Sequence, residues 1–203
     1  PVPVEINASA HADDDFSKNK SIAELTDWNI YSPVWAPVSL EDQWLKLQDK
    51  DPFDYAKVER KIPASKELKV SFDLKAGQNN KGTLQIEFLD ENGIACSRME
   101  LTDDGIFRLK GGSRFANMMK YEAGKIYHVE AVLSTVDRNI QVYVDGKRVG
   151  LRMFYAPVAA VERIVFRTGV PRTFPTVDTP ADQTYDLPNA GAQDPLAEYG
   201  IAN

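Results

Sequence analysis

The side chains best suited to binding chemistry stand on the polar sides of short alternating runs. Tyr143 can stack on a sugar ring, and Gln141, two positions earlier, can hydrogen-bond to hydroxyl groups. Arginines on other runs can bind carboxylates through charge-assisted hydrogen bonds. We therefore predict a surface that binds a carbohydrate and whose arginines suit an acidic one. It is built from Tyr143, Gln141, Arg163, Arg167, Arg98, Glu130 and His128.

Three runs should form this binding face, at 127–134, 139–145 and 161–168. Tyr143 would be its stacking ring. Arg163 and Arg167 leave the same side of their run, and as a pair they would clamp the carboxylate of a uronic acid. Exposed tyrosine and arginine side chains are also common on any solvated sheet, so an ordinary polar surface remains the alternative.

The elements that position these residues read as β-strands. Apolar and polar residues alternate within each run, as Leu68, Val70 and Phe72 do with Lys69 and Ser71. Gly, Asn and Asp between the runs favour tight turns. We predict an all-β fold, a two-sheet antiparallel jelly-roll sandwich, with strands near 44–48, 55–62, 67–76, 83–90, 95–102, 106–110, 114–119, 127–134, 139–145 and 161–168. A further short strand should follow the Asp-Gly turn at 145–146.

The length and net charge of the chain argue against some classes of function. The chain has 203 residues and a net charge of −6, whereas binding to phosphate backbones needs clustered positive charge, so nucleic acid is not an expected partner. The sequence contains no apolar run of 18 residues, which argues against membrane insertion. The single cysteine, Cys96, is predicted to pack as a small apolar residue.

We expect one jelly-roll domain over 1–203, with its core at about 38–169. The first 35 residues look irregular, with at most a strand at 4–7. The region 170–203 is proline-rich and is predicted to be an extended tail or a linker, because proline cannot donate to a central strand. Its last part, 197–201, could add an edge strand.

The segment 126–150 contains two alternating runs and an Asp-Gly turn. Together with the segments 45–60 and 161–169, it resembles the laminin-G-like modules of the concanavalin A-like lectin and glucanase superfamily, of the kind attached to bacterial polysaccharide-degrading enzymes. The resemblance implies a concanavalin A-like jelly roll. That superfamily contains both sugar-binding domains and enzymes, so the fold does not decide between them.

Two catalytic patterns of that superfamily are incomplete in this chain. A retaining glucanase places two carboxylates about 5 Å apart from a Glu-x-Asp-x-x-Glu strand, and the acidic strings at 87–92 and 100–104 lack that spacing. The alginate-lyase pattern needs a histidine where Glu87 stands and a second arginine where Thr102 stands. The sequence therefore predicts no catalytic residue. A lyase or hydrolase with an unfamiliar site remains the enzymatic alternative.

We expect that the protein requires no cofactor. It could nevertheless hold a structural calcium ion. The acidic run at 13–15 could supply oxygen ligands together with a tail residue such as Asp178 or Asp182. A solvated acidic loop is the alternative. The acidic string at 49–54 is instead expected to be a hairpin turn capped by its own aspartate side chains.

The expected function is that of a non-catalytic, lectin-like module of a secreted polysaccharide-processing protein. Its partners would be a polysaccharide or oligosaccharide and the neighbouring domains of a longer chain, in a secreted, periplasmic or cell-surface location. The alternative is a structural or protein-interaction domain that braces a neighbouring catalytic domain.

Overall fold

The computed structural model describes residues 12–169 and 192–202, which form fourteen strands and two short 3-10 helices, Phe16–Lys18 and Ile22–Glu24. The strands are β1 (Trp28–Tyr31), β2 (Val38–Glu41), β3 (Trp44–Asp49), β4 (Lys57–Ser65), β5 (Glu67–Ala76), β6 (Leu84–Leu89), β7 (Ala95–Leu101), β8 (Ile106–Gly111), β9 (Arg114–Lys120), β10 (Ile126–Ser134), β11 (Asn139–Val144), β12 (Lys147–Met153), β13 (Val161–Thr168) and β14 (Ala197–Ala202). Within the described ranges, none of the helices has the length and apolar character that a membrane crossing needs.

Two antiparallel sheets of seven strands lie face to face. Sheet I has the order β1-β4-β13-β6-β7-β8-β9, and sheet II has the order β12-β11-β10-β5-β14-β3-β2. Consecutive strands β4 and β5 belong to different sheets, as do β9 and β10, so the chain crosses repeatedly between the layers. This is the arrangement of a jelly-roll sandwich.

The core fills the space between the two sheets. It consists of the side chains on the inward-facing side of each alternating strand. Phe72 of sheet II and Phe166 of sheet I meet edge to face, with 5.0 Å between their ring centroids. Leu74, Val129 and Ile86 are buried around them. The opposite side of each strand faces outward, so the sequence alternation assigns each residue either to the core or to an outer face.

The ten predicted strands are confirmed, as are the all-β class and the short strand after the Asp-Gly turn, which is β12. The turn at 49–54 is capped as expected, because the Asp51 carboxylate accepts hydrogen bonds from the backbone N–H groups of Phe53 and Asp54. It is not a hairpin turn, however, since it leads from β3 in sheet II to β4 in sheet I.

Cys96 is fully buried, as predicted from the sequence, and burial raises the pKa of its thiol to about 12.

Two boundary predictions were wrong. Residues 28–31, expected to be irregular, form β1 at the edge of sheet I. The end of the supposed tail forms β14, which is not an edge strand but lies between β5 and β3 and bonds to both. Tyr199 of this strand is fully buried, so the sandwich core includes the end of the chain. The predicted strand at 4–7 and most of the tail lie outside the described residues.

Candidate functional site

The predicted binding residues do not share one face. β10 and β11 lie in sheet II, whereas β13 lies in sheet I. Tyr143, Gln141, Glu130 and His128 therefore face outward from one layer, and Arg98, Arg163 and Arg167 face outward from the other. The expectation that the three runs form a single face was wrong. The reason is that alternation fixes which side of a strand is polar but not which sheet the strand joins.

On the outer face of sheet II, the predicted residues bind one another or their neighbours. The Nδ1 atom of His128 lies 2.8 Å from a carboxylate oxygen of Asp73. Glu130 forms a 2.8 Å ion pair with Lys69. The Tyr143 hydroxyl donates to the Gln141 side-chain oxygen at 3.0 Å. These contacts occupy the polar groups that were expected to bind hydroxyls of a sugar.

Arg163 and Arg167 do lie on the same side of β13, but they cannot clamp one carboxylate as predicted. They are four residues apart, so their Cα atoms are about 13 Å from each other. Arg163 is also engaged already, because its guanidinium donates to the backbone carbonyl of Glu91 and lies 3.7 Å from Glu59.

The outer face of sheet I nevertheless concentrates positive charge on a chain that is negative overall. On the described strands β4, β13, β6, β7 and β8 it carries seven cationic side chains and three carboxylates: Lys57, Lys61, Arg163, Arg167, Arg98, Arg108 and Lys110, against Glu59, Glu87 and Glu100. These charges are partly removed from water. The paired side chains Glu100 and Arg98 are 7% and 21% exposed, and Arg108 is 35% exposed. On sheet II the carboxylate side chains of Asp73 and Glu130 are 23% and 27% exposed, but their partners His128 and Lys69 are 53% and 65% exposed.

Two ion pairs across neighbouring strands organise the middle of this face. Arg98 of β7 binds Glu87 of β6, and Arg108 of β8 binds Glu100 of β7, each at 2.5 Å. The Arg108 guanidinium also stacks on Phe115 at 4.3 Å from the ring centroid. Because each carboxylate has its own arginine, the centre of the face is close to neutral and its side chains are held in place.

Arg167 stands apart from these pairs. Its guanidinium carbon lies 3.9 Å from the ring centroid of Tyr55, and Tyr55 in turn contacts Tyr31 at 5.4 Å. Among the described residues, Arg167 forms no ion pair, and its buried Nε has no hydrogen-bond partner. Burial lowers the pKa of this guanidinium from its ordinary value. Glu87 and Asp54 act on this guanidinium only at a distance. A desolvated cation that has no carboxylate in contact among the described residues can receive an anion.

Lys110 is a second cation on this face without a carboxylate partner in the described ranges. Its ammonium lies 4.4 Å from the ring centroid of Tyr155 and 5.9 Å from that of Phe115. Tyr155 is positioned by its backbone N–H, which donates to the carbonyl of Cys96. Burial raises the pKa of the Tyr155 phenol to about 12, so it stays protonated and can donate a hydrogen bond.

Gln85 completes the site between these two cations. It lies on β6 directly opposite Arg167 on one side and Glu100 on the other. Its side chain is almost fully buried, and its Oε1 atom has no partner among the described residues. A buried amide oxygen of this kind can accept a hydrogen bond from a ligand hydroxyl group.

Sequence reasoning missed Tyr55, Gln85, Lys110 and Tyr155. The alternation of β6 and β8 did put Gln85 and Lys110 on polar sides, which was a usable signal. Tyr155 lies outside the strands, in the loop after β12, so the alternation says nothing about where its ring points. Tyr55 belongs to the predicted run 55–62, in which it shares a side with Lys57 and Glu59, but in the structure it lies just before β4. Only the packing of those loops brings the rings against the arginines and lysines of sheet I.

The acidic run proposed for calcium has other contacts in the structure. Asp14 pairs with Arg60 at 2.6 Å, and Asp15 caps the first 3-10 helix by accepting from the backbone N–H of Ser17. The tail residues Asp178 and Asp182 lie outside the described residues. In the part of the chain that is described, no group of three or more potential protein ligands gathers around a common point. The calcium site stays a prediction.

A cavity of about 330 Å³ opens elsewhere, between the two sheets near β1 and β5. Its walls are mainly core side chains, among them Phe16, Trp28, Phe72 and Phe166. None of the seven cations of the outer face of sheet I lines it. Its charged side chains are engaged with each other, since Arg60 is held by Asp14 and Asp27 and Lys69 by Glu130. We take the outer face of sheet I as the candidate carbohydrate site because it carries cations without a carboxylate partner among the described residues.

Comparison with known proteins agrees with a carbohydrate-binding jelly roll. The family model described as "Sialidase-like, CBM domain" matches residues 28–183. No curated protein sequence matches the chain. A solved sialidase is 88% identical over 100% of this chain, with a TM-score of 0.89, and this chain spans 19% of that sialidase.

More distant structures share the fold. The carbohydrate-binding module CBM66 from Bacillus subtilis matches with a TM-score of 0.51 at 11% identity, over 88% of this chain and 93% of that one. A structure from work on endo-acting O-glycanases, which members of the human gut microbiota express to initiate mucin breakdown, matches with a TM-score of 0.64 at 12% identity, over 95% of this chain and 96% of that one. At these identities the likeness concerns the architecture alone.

Proposed function

Because the chain belongs to the family of sialidase-like carbohydrate-binding-module domains, we propose that it binds its glycan on the outer face of sheet I and that this glycan is acidic. The observation that carries the proposal is the state of Arg167. It is a largely buried cation stacked on Tyr55, with no carboxylate partner among the described residues. A carboxylate or sulfate group of a glycan would supply the missing partner through charge-assisted hydrogen bonds.

The remainder of the face suits a sugar as well as an anion. Tyr155 and Phe115 offer aromatic rings beside cations, and stacked rings are common platforms for the apolar faces of sugars. Gln85 offers an unpartnered acceptor for a hydroxyl group. Arg98 and Arg163, predicted from the sequence, belong to the same face and stiffen it through Glu87 and Glu59. Lower exposure makes each of these interactions stronger than on an open surface.

The outer face of sheet II is the alternative location for the ligand. It carries Tyr143, whose hydroxyl is already bonded to Gln141. Several of its charges are paired within the protein, as in the Lys69–Glu130 contact at 2.8 Å. Lys75, whose ammonium lies 5.3 Å from the ring centroid of Trp44, has no carboxylate partner among the described residues and is the cation that an anion would meet on this face. An acidic glycan near Tyr143 would have to compete with the paired carboxylates, so this face is the less favourable one.

Binding measurements with matched variants test the proposal. Isothermal titration calorimetry would compare an acidic polysaccharide, polygalacturonate, with a neutral one, amylose. We expect binding of the acidic glycan only, weakened by added salt, and weakened strongly in Arg167→Ala. Tyr143→Ala serves as the control on the opposite sheet and should bind like the unsubstituted chain. Loss of binding in Tyr143→Ala with no change in Arg167→Ala would place the site on sheet II instead.

We further propose that the module serves a larger glycan-degrading protein outside the cytoplasm, in a secreted, periplasmic or cell-surface location. The support is the sialidase that contains a segment 88% identical to this chain. In that protein the module would hold the enzyme on its polymeric substrate. Deleting it should reduce activity on a polymeric sialylated substrate and leave activity on a small soluble substrate unchanged. If both activities fall together, a structural role as a brace is the better account. The narrower likeness to laminin-G-like modules rests on the segments 126–150, 45–60 and 161–169 and is part of this proposal.

A further inference from the structure

We propose that the outer face of sheet I binds a glycan through two separate anionic groups carried by different sugar residues. This inference rests on the proposed function, since it describes how the same face would hold an acidic glycan. The two anchors are Arg167 and Lys110. They are the two cations of this face that contact aromatic rings and have no carboxylate partner among the described residues.

The strand register gives the separation of the anchors. Arg167 lies opposite Gln85, Gln85 lies opposite Glu100, and Glu100 lies opposite Arg108, so three strand spacings separate Arg167 from Arg108. Lys110 is two residues beyond Arg108 on β8. With strands about 4.8 Å apart and about 3.3 Å per residue, the Cα atoms of Arg167 and Lys110 are about 16 Å apart. The charged groups also diverge, because Arg167 packs on Tyr55 beside β4 and Lys110 lies near Phe115 of β9, and β4 and β9 flank β13, β6, β7 and β8 on opposite sides. A single anionic group therefore does not occupy both anchors.

The surface between the anchors disfavours a further anion. Glu87 and Glu100 lie there, each neutralised by its own arginine. A third anionic group over these carboxylates would have to compete for Arg98 or Arg108 and would be repelled by the glutamate it displaced. The buried oxygen of Gln85 instead accepts a hydrogen bond, which suits a hydroxyl of a neutral sugar. The geometry therefore favours acidic residues separated by neutral ones over a chain in which every residue is charged.

Oligosaccharides of the repeat glucuronic acid–N-acetylgalactosamine test this inference, because acidic and neutral residues alternate in them. The probes for calorimetry are glucuronic acid, the unsulfated chondroitin disaccharide and hexasaccharide, and the hexasaccharide with its carboxyl groups reduced to alcohols. Fully acidic hexagalacturonate gives the comparison with uniform charge. The variants are Arg167→Met and Lys110→Met, singly and together. Lys61→Met removes an exposed cation from the same face, opposite Arg163, and is the matched control.

We expect the hexasaccharide to bind more tightly than glucuronic acid and more tightly than hexagalacturonate. Each single variant should weaken hexasaccharide binding by about tenfold or more, and Lys61→Met should change it far less. Circular dichroism checks that each variant is folded. If glucuronic acid binds as tightly as the hexasaccharide and depends on Arg167 alone, the two-anchor inference is overturned while the acidic-glycan site stands. If the carboxyl-reduced hexasaccharide binds equally well, or neither variant changes the affinity, the proposed function of this face fails together with the inference.

Discussion

Replacing Arg167 with methionine should separate glycan affinity from protein stability. In the free protein Arg167 is desolvated without a carboxylate partner among the described residues, so its charge contributes little to the folded state. Methionine keeps the apolar stem that packs on Tyr55 and removes the charge. The lost cation–π contact costs about 0.5–2 kcal/mol, and relief of the desolvated charge offsets it. The net change in the free energy of unfolding should therefore stay within about 1 kcal/mol of zero.

The effect on binding should be much larger. A charge-assisted hydrogen bond to an anionic group contributes about 1.5–3 kcal/mol, which corresponds to a loss of about 10- to 150-fold in affinity. Arg98→Met is the informative comparison, because it leaves the Glu87 carboxylate, whose side chain is 12% exposed, without its arginine. Allowing for the partial exposure of Arg98, we expect that variant to lose about 1–3 kcal/mol of stability.

Urea denaturation followed by tryptophan fluorescence gives the stabilities, and calorimetry with polygalacturonate gives the affinities. The reasoning predicts two patterns: Arg167→Met with near-normal stability and weak binding, and Arg98→Met with reduced stability. If Arg167→Met is destabilised as much as Arg98→Met, then Arg167 has a structural partner. The identification of its guanidinium as a free anion receptor would then be refuted.

Three further predictions concern the sandwich itself. Phe72→Ala should lower the free energy of unfolding by about 3–5 kcal/mol, because Phe72 meets Phe166 across the core with 5.0 Å between ring centroids; a loss below about 1 kcal/mol in urea denaturation would contradict this packing. Burial raises the pKa of Asp49 above its ordinary value of 3.8, so the folded chain holds its proton more tightly than the unfolded chain. The contribution of this group to stability is therefore greatest below that value and falls as the pH rises through the folded pKa, and Asp49→Asn should remove this part of the pH dependence in denaturation curves recorded at increasing pH from below 3.8. Cys96, whose thiol pKa is raised to about 12, should resist iodoacetamide in the folded protein and react once urea unfolds it; rapid labelling of the folded chain would show that β7 opens around Cys96.

The sequence by itself determined the fold class and most of the strands. Alternation such as that of Leu68, Val70 and Phe72 has a period of two because side chains of a strand point to opposite sides, and this property is local. It therefore predicted which residues of β5, β6, β10, β11 and β13 face outward. The outward positions of Tyr143, Arg98 and Arg167 were all correct on this ground. The carbohydrate-binding function was also anticipated, from the resemblance to jelly rolls that bind sugars.

The tertiary structure decided which strands are neighbours and so which outward residues meet. Pairing depends on contacts between distant parts of the chain, such as β14 with β5 and β3, and a local pattern contains no information about them. For this reason Tyr143 and Arg167, both on polar sides, face opposite sides of the sandwich. The contacts of the Tyr55 and Tyr155 rings with Arg167 and Lys110 could not be predicted for the same reason, since they depend on how the segments before β4 and after β12 pack against sheet I. Sequence periodicity specifies the faces of single strands, but a binding surface forms only where several strands come together in space.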